Sequence, residues 1–166
     1  MENESNNGLT ITRVFDAPVS EVWRYWTEPE YFKKWWGPKD FTCPVANIDF
    51  RVGGKYHVAM RGPAGTEWDK DLWSGGTYEE IIPFKKIVVL DSFNDEKGNV
   101  VSATHYGMLE SFPLKSTIEI FFEEEDGKTK MTLHYPSVEG IDEKNLEGMT
   151  QGWNQSFDKL AESLKV

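Results

Sequence analysis

The sequence contains little cysteine and no long apolar segment. Cys43 is the one cysteine in 166 residues, so the chain cannot form an internal disulfide, which fits a reducing compartment. It has no run of about 18 apolar residues, which excludes a membrane-spanning helix. Residues 1–8 are polar and lack the apolar stretch of a signal peptide. We therefore predict a disordered tail over residues 1–8 and a cytoplasmic location.

Basic residues are scarce relative to acidic ones. The chain has 18 Lys and Arg residues against 28 Asp and Glu residues, which gives a formal net charge of −10. Nucleic acids and anionic membranes are bound through positive patches. The charge balance therefore argues against both as partners.

Residues that would mark a metal, nucleotide or nucleophile site are also few. The histidines are His57, His105 and His134, and none is paired with a second His or Cys at ligand spacing. Cys43 stands beside Pro44 with no nearby base, which favours a small apolar residue. No Gly-x-Ser-x-Gly motif or phosphate-binding glycine loop occurs. We predict surface histidines, no metal and no cofactor.

Aromatic residues, in contrast, are abundant, with ten Phe, seven Trp and six Tyr. Some of them fill the core of a domain of this length. The others can line a pocket, because aromatic walls are common in small-molecule sites. Core packing alone and a lined pocket both explain this composition.

The clearest predicted helix is the last one in the chain. Its apolar residues recur at intervals of three or four along one stripe, which predicts a helix of about 22 residues after a cap at Asp142. The residues near its end are expected in the core and those near its start beside more open space. The stripe comprises Leu146, Met149, Trp153, Phe157, Leu160 and Leu164.

Most of the preceding sequence alternates with the period of a β-strand. Residues 9–16 predict a first strand, and a short helix follows from Pro18 to about Trp26. Residues 27–30 resemble a capping box, which predicts a second short helix that ends at Gly37. The clearest hairpin joins residues 114–122 to residues 130–135.

A pair of glycines interrupts one of the predicted strands. Gly75 and Gly76 lie inside the strand candidate of residues 68–82. Glycines at such positions favour a bulge or a sharp bend of the sheet.

These elements predict one α+β domain over residues 9–166. Two short helices follow the first strand, and a curved antiparallel sheet of about six to seven strands surrounds the long C-terminal helix. A sheet that curves around one helix often stays open at one end. We therefore expect a cavity between the helix and the sheet.

Several motifs occur in a characteristic order: residues 11–18 (ITRVFDAP), Val22-Trp23, residues 35–38 (WWGP), Phe41-Thr42, residues 49–54 (DFRVGG), Tyr56, and Gly152-Trp153 with Phe157, Leu160 and Leu164. Taken together, they resemble the START-like (SRPBCC) superfamily. They resemble most closely the branch named after the C-terminal domain of the activator of the heat-shock-protein-90 ATPase. The resemblance covers about residues 9–164 and implies a helix-grip fold, as in START domains and the birch-pollen allergen, with a hydrophobic cavity. The superfamily includes lipid carriers, hormone receptors and polyketide cyclases, so it implies no single activity.

The predicted cavity wall draws on the short helices, the strands and the start of the last helix. Trp35 and Trp36 precede a helix stop, so at least one of their rings should face the sheet. Met149 suits a cavity because methionine adapts to varied shapes. The ligand-binding candidates are Trp35, Trp36, Tyr56, Val58, Met60, Trp73, Tyr106, Met149 and Trp153.

Acid–base chemistry has a separate set of candidates. If their strand and loop both reach the cavity mouth, a carboxylate or an imidazole there can act as general acid or base. Otherwise they are solvated loop charges. The candidates are Glu67, Asp69 and Asp71, which lie near Trp68 and Trp73, and His105 and Tyr106, which precede Glu110.

Three functions are compatible with this sequence. The first is binding of a hydrophobic or aromatic small molecule in the cavity, including a stress-related role. The second is an enzyme of polyketide cyclase, hydrolase or lyase type, which requires an inward-facing His, Asp or Glu in contact with a second polar group. The third is a protein-interaction module that resembles a chaperone ATPase activator, whose acidic surface would meet a basic partner.

Overall fold

An antiparallel sheet curls around the helices in the computed structural model, which describes residues 8–165. Seven strands form a continuous path in the order β1-β8-β7-β5-β4-β3-β2, and the two-residue β6 pairs with β5. The helix-grip prediction is confirmed, with the two short helices after β1 and the long helix last. The elements are β1 (Leu9–Phe15), α1 (Val19–Thr27), α2 (Pro29–Phe32), β2 (Thr42–Ile48), β3 (Lys55–Arg61), β4 (Asp71–Ile82), β5 (Lys86–Asn94), β6 (Val100–Val101), a 3-10 helix (Ala103–Tyr106), β7 (Ser116–Glu125), β8 (Lys128–Tyr135) and α3 (Glu143–Ser163).

The β7–β8 hairpin shows how alternation in the sequence gives the sheet one buried face. Ile118, Ile120 and Phe122 are buried, whereas the residues between them are only partly covered. Asp126 and Gly127 form the two-residue turn, with φ angles of 55° and 78°. Both angles are positive, as a type I′ turn requires, and this turn matches the twist of the two strands. The hairpin prediction is confirmed.

The long helix α3 begins at the predicted cap. The Asp142 carboxylate accepts a hydrogen bond of 2.9 Å from the Asn145 backbone N–H. Phe157 and Leu160 are fully buried, whereas Trp153 is only partly buried. The helix therefore closes the core with its C-terminal half and leaves its N-terminal half beside less tightly filled space.

The capping-box prediction for the second helix is wrong. Thr27 is the last residue of α1, and its hydroxyl donates to the Trp23 carbonyl at 3.0 Å. Glu28 is the N-cap of α2 and makes no side-chain cap hydrogen bond. The helix has a single turn that ends at Phe32, and residues 33–41 continue as turns and bends toward Gly37 and beyond.

Of the two alternatives predicted at Gly75 and Gly76, a bulge or a sharp bend, the bulge is wrong. The β4–β5 register runs unbroken through both glycines, and the shift occurs between Tyr78 and Glu80. A Cβ atom at Gly76 would overlap the Leu90 carbonyl oxygen. Glycine is therefore required at position 76 because there is no space for a side chain.

Aromatic rings pack against one another in the core beside the C-terminal half of α3. The Trp35 ring lies 4.7 Å from the Trp26 ring and 6.0 Å from the Phe157 ring, measured between centroids. Trp35 is fully buried, and its Nε1–H donates to the Tyr25 carbonyl at 2.8 Å. Burial of each such side chain contributes about 1.5–3 kcal/mol. Within residues 8–165, no helix is long and apolar enough to cross a membrane.

Candidate functional site: a cavity between the long helix and the sheet

Two adjacent cavities lie between α3, the segment after α2 and the inner face of the sheet. The outer cavity measures about 230 Å³ and the inner one about 40 Å³. Trp36, Asp91 and Trp153 line both, so these three residues stand at the junction. The remaining wall of the inner cavity is Trp26, Phe32, Ile48, Tyr56, Tyr78, Ile87, Val89, Ile118 and Ile120. The remaining wall of the outer cavity is Gly37, Pro38, Met60, Leu72, Trp73, Ser74, Phe93, Met149, Gly152 and Ser156.

The outer cavity exists partly because α3 carries a glycine where its stripe faces the sheet. Gly152 lines the cavity, and a Cβ atom there would meet no other atom within 4 Å. Gly148, one turn earlier, also has open space around it but is exposed and lines neither cavity. Of these two helix glycines, only Gly152 therefore enlarges the cavity by its missing side chain.

Two tryptophans form the aromatic part of the junction. The rings of Trp36 and Trp153 meet edge to face with their centroids 5.4 Å apart. The Trp153 Nε1–H donates to the Tyr135 hydroxyl at 3.1 Å, and Trp36 stacks on Phe32 at 4.8 Å. These contacts fix the orientation of both rings, so the wall is formed in advance of any ligand.

Within residues 8–165, Asp91 is the one acid that lines the two cavities. It lies on β5 with the same parity as Ile87 and Val89, which also face the inner cavity. The side chain is half-buried, and it lies where the two cavities meet. The Asp91 side chain therefore faces the space between α3 and the sheet.

Tyr56 reaches Asp91 across an intervening strand. Tyr56 on β3 pairs with Gly76 on β4, and Gly76 pairs with Asp91 on β5. The Tyr56 hydroxyl donates to Asp91 Oδ1 at 2.5 Å. A Cβ atom at Gly76 would lie 2.8 Å from that hydroxyl. The glycine therefore makes room for the phenol to cross β4.

Burial changes the acidity of this pair. Loss of solvation raises the pKa of Asp91 from its ordinary value to about 7, and the hydrogen bond from Tyr56 opposes part of that rise. The pKa of Tyr56 lies well above its ordinary value, first because of burial and then because of the neighbouring Asp91 charge. The carboxyl group therefore titrates near neutral pH while the phenol stays protonated.

Six of the nine predicted wall residues line these cavities. Tyr56 lines the inner one, Trp36 and Trp153 line both, and Met60, Trp73 and Met149 line the outer one. Trp73 lies at the outer rim, where its ring stacks on His57 at 4.4 Å.

The other three predicted wall residues lie elsewhere. Trp35 and Val58 are fully buried in the core and line neither cavity. Tyr106 closes the end of the sheet, because its hydroxyl accepts from the Trp73 backbone N–H and donates to the Asn94 carbonyl. Their positions are structural, and a ligand-binding role for the six lining residues stays a prediction.

The acid–base candidates from the loops do not reach the cavities. Asp71 forms a two-point ion pair with Arg61, at 2.7 and 3.1 Å. Asp69 accepts from a backbone N–H within its own loop. Glu67, His105 and Glu110 are exposed, and no acid–base candidate lines either cavity.

Cys43 is a buried thiol without a nucleophile's surroundings. Its Sγ–H donates to the Val45 carbonyl at 3.4 Å, and burial raises its pKa to about 11. A thiol with a raised pKa stays protonated and is a poor nucleophile. In the described part of the chain, no three His, Cys, Asp or Glu residues are grouped to hold a metal ion.

Sequence reasoning missed Asp91 because it lies in a run that indicates a buried strand. Residues 87–93 read IVVLDSF, and the single acid is easily taken for a solvent-facing position. Two signals identify it: its parity with Ile87 and Val89, and Gly76, which lies opposite it on the neighbouring strand β4. An acid in phase with buried β-branched residues indicates an inward-facing polar group.

Solved structures with the same fold come from several bacteria. A protein from Chromobacterium violaceum is 25% identical, with a TM-score of 0.75, over 97% of this chain and 99% of that chain. One from Mycobacterium smegmatis is 24% identical, with a TM-score of 0.76, over 99% and 94%. The AHSA1 protein from Silicibacter pomeroyi is 17% identical, with a TM-score of 0.73, over 95% and 97%.

A sequence comparison identifies the family. No curated protein matches this chain. The sequence model described as "Activator of Hsp90 ATPase homolog 1-like protein" matches residues 16–165, which is most of the chain. The protein therefore belongs to the activator of Hsp90 ATPase homolog 1-like family.

Proposed function

We propose that the protein binds a small apolar or aromatic molecule in the cavity between α3 and the sheet. The main support is a space of about 230 Å³ with mostly aromatic and aliphatic walls. A ligand in that space would gain about 25 cal/mol for each Å² of apolar surface removed from water. The fixed rings of Trp36 and Trp153 reduce the ordering cost of binding.

The glycine of α3 supports the same proposal. Glycine inside a helix is less favourable than alanine by about 0.8–1 kcal/mol. At Gly152 even a small side chain would take up part of the outer cavity, because nothing else fills that position. Gly152 thus lowers the stability of the helix and leaves the outer cavity open.

The size of the space limits the ligand. Pockets for drug-sized molecules usually measure about 300–1,000 Å³, and the outer cavity is smaller at about 230 Å³. A ligand of one or two rings fits best. Polar contacts are available from Asp91, Ser74 and Ser156.

Calorimetric titration of the wild type and of two leucine variants tests the proposal. Indole, a neutral two-ring compound, serves as the probe. We expect saturable binding by the wild type and its loss in Gly152→Leu, because the new side chain occupies the outer cavity. Gly148→Leu introduces the same residue on the same helix at an exposed position, and it should bind indole as the wild type does.

Two results would contradict the binding function. One is equal affinity of Gly152→Leu and the wild type for indole. The other is an absence of saturable binding by the wild type across a set of neutral one- and two-ring aromatics. Leucine is a good helix former, so far-ultraviolet circular dichroism of both variants should match the wild type.

Asp91 and Tyr56 favour a second function, acid–base catalysis of cyclase, hydrolase or lyase type in the same cavity. Such an enzyme needs an inward-facing acid in contact with a second polar group, and this pair has that arrangement. A carboxyl group with a pKa of about 7 can give or take a proton near neutral pH.

A screen of small aromatic esters and β-diketones tests this second function. If a substrate is turned over, Asp91→Asn should lower kcat by about 100-fold or more. Tyr56→Phe should instead move the acidic limb of the pH profile upward, because it removes the hydrogen bond that lowers the pKa of Asp91. Turnover by Asp91→Asn at the wild-type rate would exclude this mechanism.

A chaperone partner, which the resemblance implies, stays a prediction. The net charge of −10 would favour a basic surface on such a partner, and electrostatic steering is strongest at low salt. If the host's chaperone does not bind in low-salt buffer, this function is wrong.

A further inference from the structure

We propose that the cavity selects an organic amine: an apolar or aromatic body whose protonated nitrogen pairs with Asp91 Oδ2. This inference rests on the proposed binding function and narrows it to one class of ligand. It also excludes two other classes, fatty acids and phosphate-bearing lipids.

Among the described residues, Asp91 is the one charged side chain that lines the cavities. Asp91 lines both cavities, and among residues 8–165 no Lys, Arg or His lines either one. A carboxylate or phosphate group would find no countercharge there and would be repelled by Asp91. A buried anion without a partner is strongly unfavourable, so the site disfavours anionic ligands.

The second oxygen of Asp91 is free to accept from a ligand. Oδ1 receives the Tyr56 hydroxyl, whereas Oδ2 receives no hydrogen bond from the described residues. No side-chain oxygen of that part of the chain is both fully buried and unpartnered, so Oδ2 keeps accessible surface where the cavities meet. An ammonium group would supply a charge-assisted hydrogen bond, which is stronger than a neutral one.

The aromatic rings beside Asp91 suit a cation. Trp36 and Trp153 stand at the same junction of the two cavities. Tryptophan is the aromatic residue that attracts cations best, and the attraction grows when the site excludes water. The carboxylate and the two rings therefore favour the same type of ligand.

The other groups that face Asp91 are neutral near neutral pH. Tyr56 on β3, Tyr78 on β4 and Tyr135 on β8 all have a pKa raised by burial. On the helix side the cavities are lined by Met149, Gly152, Trp153 and Ser156, none of which carries a charge. Lys159 on α3 donates to the Pro38 and Phe41 carbonyls behind the wall and lines neither cavity. Asp91 is therefore the lining group whose charge changes between about pH 6 and pH 8.

Three indole compounds that differ in one terminal group test the inference. Tryptamine ends in an ammonium, tryptophol in a hydroxyl and indole-3-acetate in a carboxylate. At pH 8 we expect calorimetry to show tryptamine binding at least about tenfold more tightly than tryptophol, and indole-3-acetate more weakly than both. The indole Nε1–H signals of Trp36 and Trp153 should shift with tryptamine in nitrogen-15 correlation spectra.

Asp91→Asn supplies the second arm of the test. It should remove the preference for tryptamine over tryptophol and leave tryptophol binding intact. Tryptamine affinity of the wild type should also weaken as the pH falls from 8 to 6, because Asp91 becomes protonated, and the variant should lack this dependence. Asp158→Asn removes one exposed negative charge from α3 outside the cavities and should keep the preference.

The outcomes separate this inference from the binding function. If indole binds but tryptophol or indole-3-acetate binds as tightly as tryptamine, the amine inference is wrong and the binding function stands. If Asp91→Asn keeps the full preference for tryptamine, the inference is also wrong. If neither indole nor any of its three derivatives binds, both are wrong.

Discussion

Asp91 combines three properties that few carboxyl groups share. It faces inward from β5, it accepts from the Tyr56 hydroxyl, and its remaining oxygen stays accessible at a cavity. The first depends on the parity of β5, and the second on the register that places a glycine opposite it on β4. Burial raises the pKa of this group to about 7. Ionisation of Asp91 therefore lowers the free energy of unfolding, because the charged carboxylate is less favourable in the folded protein than in the unfolded chain.

The first prediction concerns the pH dependence of stability. A carboxyl group whose pKa is higher in the folded state favours folding most below about pH 4, and this advantage is lost as the pH rises through about 7. Asp91→Asn removes the buried charge. We expect the free energy of unfolding of Asp91→Asn, relative to that of the wild type, to increase between pH 4 and pH 7. Above pH 7 the difference should level off at no more than about 4 kcal/mol.

Urea unfolding of both proteins at pH 4, 6 and 8 measures this difference. Tyr56→Phe is the matched comparison, because it keeps the acid and removes only its hydrogen-bond donor. That variant should raise the pKa of Asp91 further and lose stability most at pH 8. Parallel stability curves for Asp91→Asn and wild type from pH 4 to 8 would show that Asp91 is not buried as described.

Two elements, β4 and α3, carry glycines with opposite surroundings. Gly76 is enclosed by the Leu90 carbonyl and the Tyr56 hydroxyl, whereas Gly152 has open space on its cavity side. Glycine is unfavourable in both a strand and a helix. In β4 it allows a polar contact across the strand, and in α3 it leaves a space.

The second prediction is that alanine at these positions has opposite effects on stability. Gly76→Ala should destabilise the protein by about 1–3 kcal/mol, because the added methyl group overlaps backbone atoms. Gly152→Ala should stabilise it by about 0.5–1 kcal/mol, since alanine favours the helix and nothing is displaced.

Thermal unfolding of both variants and of Gly148→Ala checks this prediction. Gly148→Ala should match the stability gain of Gly152→Ala, but only Gly152→Ala should weaken indole binding. A loss of stability in Gly152→Ala would mean that the cavity is already filled. A neutral effect of Gly76→Ala would mean that the tyrosine does not cross β4.

At the scale of the whole molecule, the fold could be predicted from the sequence, whereas the positions of some single side chains could not. The apolar stripe of α3 and the alternation of β7 and β8 predicted the fold, because burial on one face leaves a period in the sequence. The same patterns could not distinguish Trp35 from Trp36. The two tryptophans are neighbours in sequence. Trp35 is held in the core by a tertiary hydrogen bond from its Nε1–H to the Tyr25 carbonyl, which no sequence pattern indicates.

The cavity itself was less predictable than its surroundings. It depends on a side chain that is missing at Gly152 and on a register that aligns Tyr56, Gly76 and Asp91 across three strands. Neither property belongs to a single segment of sequence. Periodicity reports which residues are buried, whereas a cavity depends on how the volumes of distant side chains add up.

A crystal structure determined in the presence of indole would show whether the outer cavity holds an aromatic ligand. We expect density for one indole ring in the outer cavity, in contact with Trp36 and Trp153 and near Asp91, with little movement of the surrounding walls. A structure in which the protein's own side chains fill that space, with indole absent or bound only elsewhere, would contradict the proposed binding function.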